Sequence, residues 1–153
     1  MSDNFLSIND WTSKEHEDFL FLTDKVKEGN YDSILENKNF ALVFEKASLR
    51  TRVSFEVAIK KLGGNAIYLS ENDIGLGKRE SVTHVAKNLN RWVDGIIARV
   101  YDHSTLINFT KNTNINIINA LSDLEHPCQA LADIYTIYKK FGKLDNVNFC
   151  YIG

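Results

Sequence analysis

The chain has 153 residues, 44% of them hydrophobic and 25% charged, which suits one folded domain with a sizeable core and excludes a disordered chain. Eighteen Lys and Arg against twenty Asp and Glu leave a net charge of −2, so no basic surplus draws the molecule onto nucleic acid. Two cysteines, Cys128 and Cys150, support neither a disulfide framework nor a paired-cysteine metal site.

The opening MSDNFLSINDW lacks the basic and apolar regions of a signal peptide, and no apolar run approaches the ~20 residues that cross a bilayer. A cytoplasmic, reducing compartment without membrane attachment is the expectation. Thr12-Ser13-Lys14-Glu15 reads as a capping box, with Phe19, Leu20, Leu22 and Val26 following at helical spacing and Gly29 as the stop. Phe40 to Phe44 is a continuous apolar run that predicts a buried strand. Val53, Phe55, Val57, Ile59 and Leu62 mark a helix closed by Gly63-Gly64, and Ala66 to Leu69 a second strand. Residues 71–79 read as a polar loop. Val82, Val85, Ala86 and Leu89 then make a helix face behind a Ser81 N-cap, and Gly95 to Ala98 a third strand. A weaker helix over 103–111, a strand at Ile115–Ile118, a helix from Pro127 to Phe141 ended by Gly142, and a fifth apolar run from Val147 to Ile152 complete the chain.

Strands alternating with helices imply right-handed βαβ crossovers and a parallel sheet covered on both faces, a three-layer α/β/α fold. Residues 1–141 are expected to form one domain, with 127–141 as its last helix. Residues 142–153 read as the first strand of a second, truncated domain.

In open parallel sheets ligands sit beyond the carboxyl ends of the strands. That rule selects Lys46 to Arg52 after the first strand, the 71–79 loop after the second, Arg99 at the end of the third, and His126-Pro127-Cys128-Gln129 after the fourth. Ser48 to Arg52 opens a helix, so the backbone N–H groups of residues 49–51 and the helix dipole offer an anion site. Ser48 and Thr51 add hydroxyls, and Arg50 can fork onto a phosphate. The alternative is an N-cap serine followed by solvated arginines, and the spacing alone does not choose. Arg52 fits a supporting ion pair better than a ligand contact.

Pro127 suits the first helical position, which makes His126 the N-cap, and Gln129 lies three residues on. Together they fit a carbamoyl or amide group; separately they fit a capping histidine and an incidental glutamine. Arg99 ends an apolar strand and needs solvent or an anion. His16, His84 and His103 are expected to be solvated, and Cys150 to lie in the core. No GxGxxG follows a strand, which sets a nucleotide-binding reading aside.

The segments Phe44-Glu45-Lys46-Ala47-Ser48-Leu49-Arg50-Thr51-Arg52 and His126-Pro127-Cys128-Gln129-Ala130-Leu131-Ala132-Asp133 resemble the aspartate/ornithine carbamoyltransferase family, with Trp92 to Arg99, Leu62-Gly63-Gly64 and Asn119 to Asp123 extending the likeness along the chain. The Phe-Glu-Lys lead-in, Gly77-Lys78-Arg79-Glu80-Ser81 and the Leu-Ala-Asp ending are similar to its ornithine branch. The resemblance implies carbamoyl transfer from carbamoyl phosphate to the δ-amine of L-ornithine, giving L-citrulline and phosphate. An aspartate-type transfer, or a module that only holds phosphate, is the alternative.

The resemblance further implies that Ser48, Leu49 through its main chain, Arg50 and Thr51 hold the phosphate, with Pro127 and Cys128 also beside the ligand. Arg99 would bridge phosphate and carbonyl, His126 would polarise the carbonyl, and Gln129 would hold the carbamoyl nitrogen. No metal or other cofactor is implied. Ornithine would be bound by the second domain, and the subunits would form a homotrimer with sites at their interfaces. Two departures stand out: Leu49 where many members carry Thr, and Gly75 where many carry a Gln that reaches a neighbouring subunit, a role for which Lys78 or Arg79 could substitute.

Overall fold

The computed structural model describes residues 4–29, 31–77, 79–150 and 152. The apolar runs become β1 (Asn39–Phe44), β2 (Asn65–Ser70), β3 (Gly95–Arg99) and β4 (Asn116–Leu121). Among the described residues these pair as one parallel sheet in the order β2-β1-β3-β4. Central parallel strands are covered on both faces, so β1 and β3 are nearly all buried and read as unbroken apolar sequence.

The helices are α1 (Ser13–Lys27), α2 (Leu49–Lys61), α3 (Glu71–Ile74), α4 (Val82–Trp92), α5 (His103–Asn112) and α6 (Pro127–Phe141), with a 3₁₀ turn at Ile8–Asp10. Thr12 and Glu15 form the expected capping box, and Ser81 caps α4 through a bond from the His84 N–H. Ala41, Val43, Ile96, Ala98 and Ile117 turn one face of the sheet toward Val85 and Leu89 of α4 and Leu106 and Phe109 of α5. Leu42, Phe44, Ile97 and Ala120 turn the other toward Phe55 and Ile59 of α2. This is the three-layer arrangement. Gly95 permits the close approach of β3 to β1, because a Cβ there would stand 2.8 Å from the Phe40 ring. No helix among the described residues is long and apolar enough to cross a membrane.

Several expectations are corrected. Residues 71–79 are not all loop: the Asp73 carboxylate accepts from both the N–H and the hydroxyl of Ser70, which nucleates the single turn of α3. Lys78 lies outside the described residues. His84 is exposed, but His16 packs on Trp11 and His103 sits within 2.9 Å of the Ser122 hydroxyl, both half-buried. The run from Val147 forms no strand over 147–150, since it pairs with no edge of this sheet, and Cys150 is consequently exposed rather than in the core. On α2 the apolar positions divide: Phe55 and Ile59 face the sheet, while Leu49, Val53 and Val57 form an exposed stripe.

Candidate functional site

The chain passes from β1 to β2 on one side and then crosses back to β3 on the other, so the order reverses between β1 and β3. A crevice beyond the carboxyl ends of the strands follows from that reversal. A cavity of about 520 Å³ lies there, lined by Ser48, Arg50 and Thr51 from the start of α2, Arg99 from β3, and His126, Cys128 and Gln129 from the start of α6. Ser54, Phe55, Leu121 and Ala132 complete the lining; of these, Ser54 is detectable from sequence only as the residue one turn beyond Arg50.

Ser48 has extended backbone angles and accepts a bond from the Thr51 N–H at 3.3 Å. That N–H is therefore engaged, and the anion-facing donors narrow from residues 49–51 to Leu49 and Arg50, which have no intrahelical acceptor. The Ser48 hydroxyl donates to Thr51 Oγ1 at 2.9 Å, and Arg99 donates to the same oxygen at 3.3 Å. Arg50 is exposed at the mouth. Leu49 turns its side chain outward, 79% exposed, so only its main chain is available to the cleft. Arg52 is held elsewhere, bonded to Glu56 at 2.8 Å and stacked 3.7 Å over Tyr68.

Opposite Arg99 the β3–β4 register shifts, with the extra residue, Ala120, on β4. The Arg99 carbonyl accepts from the Glu45 N–H at 2.9 Å, while the Glu45 carboxylate accepts from the Tyr101 N–H. The Arg99 Nε is buried without a protein partner, and so is Nδ1 of His126. Two orphaned buried nitrogens, one at the end of β3 and one at the N-cap of α6, face one cleft and are the polar groups a ligand would satisfy.

The loop from β4 to α6 is bolted from behind by the fully buried Asn119. Its side-chain NH2 donates to Leu6 O at 2.9 Å and Glu125 O at 3.2 Å, and its main-chain carbonyl accepts from the Cys128 thiol at 3.4 Å, while its side-chain oxygen is buried without a partner. The Glu125 carboxylate accepts from the Ile8 N–H at 2.9 Å and the Ser7 hydroxyl at 3.2 Å. These long-range bonds leave no sequence signal. Pro127 is buried at the first helical position and does not line the cleft, whereas Cys128 does; burial pushes its thiol up to about 11, so it stays a neutral thiol.

Burial, and then the Arg99 charge, hold the His126 pKa below the ordinary imidazole value, with Asp133 acting the other way. His126 is thus neutral at pH 7. The unfolded chain binds the proton more readily, so this contribution to stability is complete above about pH 6.5 and is lost as pH falls toward the folded value. We expect an NMR titration midpoint for His126 below 6.5 in the free chain, rising when inorganic phosphate offsets Arg99. A midpoint of 6.5 or more without phosphate would contradict this electrostatic picture.

Beyond the strand ends, a helix N-terminus, two arginines and a histidine of lowered pKa give the cleft a polarity suited to a small anion. Residues 3–139 match the family model for the aspartate/ornithine carbamoyltransferase carbamoyl-P binding domain, and the chain belongs to that family. It is 45% identical over 157 residues to an ornithine carbamoyltransferase of Methanocorpusculum labreanum, covering 100% of this chain and 52% of that protein. It is 47% identical over 153 residues to the ornithine carbamoyltransferase of Deinococcus radiodurans, covering 98% and 50%. The crystal structure of ornithine carbamoyltransferase from Thermus thermophilus superposes with a TM-score of 0.90 at 42% identity, covering 96% of this chain and 52% of the other. The chain therefore spans about half the length of these relatives.

Proposed function

We propose that the cleft binds carbamoyl phosphate and that the chain is the carbamoyl phosphate half of an ornithine carbamoyltransferase acting in arginine metabolism. One observation carries the reading: Ser48, Arg50, Thr51, Arg99, His126 and Gln129, drawn from three separate segments, line a single cavity. The arginines, the hydroxyls and the first N–H groups of α2 suit a phosphate. His126 and Gln129, at the start of α6, suit the carbamoyl end.

In the proposed reaction the neutral δ-amine of L-ornithine attacks the carbamoyl carbon. The carbonyl oxygen takes up negative charge, the bond between the carbamoyl carbon and the bridging oxygen breaks, phosphate leaves with that oxygen and the electron pair, and the amine loses its proton to give L-citrulline. Arg99 and His126 stabilise the oxyanion, a role in which losing one donor typically costs about 10²–10³ in rate. His126 acts there as a neutral hydrogen-bond donor, consistent with its lowered pKa.

Residues 1–141 are the proposed carbamoyl phosphate-binding unit and 142–153 the beginning of the ornithine-binding one. A cytoplasmic homotrimer is the proposed assembly. The exposed stripe of Leu49, Val53 and Val57 supports association with a second copy, since contiguous apolar surface of this kind marks interfaces. Because the chain spans half of its relatives, the expected behaviour of this chain by itself is binding without turnover. Calorimetry with carbamoyl phosphate should show saturable 1:1 binding, and a colorimetric citrulline assay with added ornithine should show no product. Absence of any carbamoyl phosphate binding would refute the assignment of the cleft, and turnover at the rate of the full-length relatives would refute the division of labour.

A further inference from the structure

We propose that Asp133 fixes which end of the Gln129 side-chain amide faces the cleft, and so makes the site select an acyl phosphate that carries an NH2 group. The inference rests on the carbamoyl phosphate reading and deepens it by naming a specificity determinant outside the lining of the cleft.

Gln129 occupies the third helical position of α6 and lines the cavity, whereas Asp133 lies one turn further on and does not. Gln129 Nε2 donates to Asp133 Oδ1 at 2.9 Å. The two ends of an amide have nearly the same shape, so its hydrogen-bond partners decide which way it points. An ionised carboxylate only accepts. With the NH2 end committed to Asp133, the carbonyl oxygen is the end left for the cleft.

The consequence is a site of mixed polarity. The α2 side and β3 present donors: Arg50, Arg99 and the first N–H groups of the helix. Gln129 presents an acceptor, backed by a carboxylate whose charge also reaches His126. A ligand satisfies both ends only if it carries a phosphate at one and an N–H donor at the other. An acyl phosphate ending in CH3 has the same outline but leaves the Gln129 oxygen without a partner, the more expensive side of a hydrogen-bond deletion.

Simple removal of Asp133 is a weak probe, because a freed amide can rotate to suit the ligand at a cost of about a factor of two. A side chain that only donates is the stronger one. In Asp133→Lys the ammonium claims the Gln129 oxygen and turns its NH2 into the cleft, where it opposes a ligand NH2. Asp133→Glu keeps a carboxylate within reach and serves as the rescue. The matched ligands are phosphonoacetamide and 2-oxopropylphosphonate, which differ by NH2 against CH3, with inorganic phosphate reporting the phosphate end alone.

By calorimetry on the 153-residue chain, the parent and Asp133→Glu should prefer the amide over the ketone by about fivefold or more, the value of one net hydrogen bond. In Asp133→Lys the preference should vanish or invert. Inorganic phosphate should still bind that variant at least as tightly as the parent, since a carboxylate has gone. The charge change acts on both phosphonates alike and cancels in their ratio, so a merely structural role for Asp133 would not move it. An undiminished preference in Asp133→Lys, or a parent that binds phosphate but shows no preference, overturns the proposal. A parent that binds neither phosphate nor either phosphonate overturns the carbamoyl phosphate reading itself, and this inference with it.

Discussion

Arg50→Ala should weaken carbamoyl phosphate binding by roughly 100-fold, and Lys140→Ala should leave it within about twofold of the parent. Arg50 lines the cavity at the N-terminal turn of α2, where its planar fork and the free N–H groups would meet the proposed phosphate. Each charge-assisted bond contributes about 1.5–3 kcal/mol, so losing a two-pronged contact costs about 3 kcal/mol even after allowance for solvent at the mouth. That is two decades in Kd. Arg50→Lys retains the charge but not the fork and should fall in between, near tenfold. Lys140 is an exposed cation in the last turn of α6, 6.0 Å from the Phe141 ring, and it does not line the cleft. Calorimetry at fixed salt measures all three. If Arg50→Ala bound like the parent, the phosphate would have to be held elsewhere.

The parts of the fold that sequence made legible share a physical cause. β1 and β3 are buried on both faces, so their composition alone betrays them. Caps were equally readable, because Thr12, Ser48 and Ser81 each act on the N–H group three residues on. What escaped was set by contacts distant in the chain. Nothing local tells Leu49, Val53 and Val57, which share a helix with Phe55 and Ile59, that they face outward while those two meet the sheet. Cys150 looked like core because its neighbours are apolar, yet burial needs a partner surface, and residues 147–150 pair with none in this sheet.

The site divides the same way. Ser48, Arg50, Thr51, Arg99, His126 and Gln129 could be picked out because the strand-end rule needs only the order of elements. The supports behind them could not. Asp24 accepts bonds from both Tyr135 and Lys139, tying α1 to α6 across more than a hundred residues, and Glu125 reaches the 3₁₀ turn over a similar span. The bond between Gln129 and Asp133 was the exception: a spacing of four on one helix face was visible, but not which amide end it left for the cleft.

Asn119→Leu should be the most destabilising substitution near the site, and it should weaken ligand binding without touching the ligand. Asn119 has no exposed surface, and its amide joins two segments: the N-terminal stretch through Leu6 O, and the loop before α6 through the Ser122 hydroxyl at 3.4 Å and Glu125 O. Leucine is close in volume, so the cost comes from the stranded Leu6 carbonyl rather than from a cavity. A buried acceptor left without its donor costs about 1–3 kcal/mol. Glu125 O keeps bonds from the N–H and hydroxyl of Ser122, whereas Leu6 O loses its amide donor, and removal of the unpartnered Asn119 Oδ1 offsets part of the loss, so the total should be about 2 kcal/mol. For a chain of this size that lowers Tm by roughly 4–8 °C. Glu125 immediately precedes His126, so loosening its carbonyl also frees the imidazole and the start of α6 that carries Gln129. Binding of carbamoyl phosphate should therefore weaken even at temperatures where the variant remains folded. Ser7→Ala removes the 3.2 Å bond to the Glu125 carboxylate and the cap that its hydroxyl oxygen offers the Asn9 N–H at 3.1 Å, both near the surface, and should shift Tm by about 2–4 °C. Thermal denaturation followed by circular dichroism, with calorimetry well below Tm, separates the two effects. An Asn119→Leu chain that melts and binds like the parent would mean that the loop holds His126 in place without this amide.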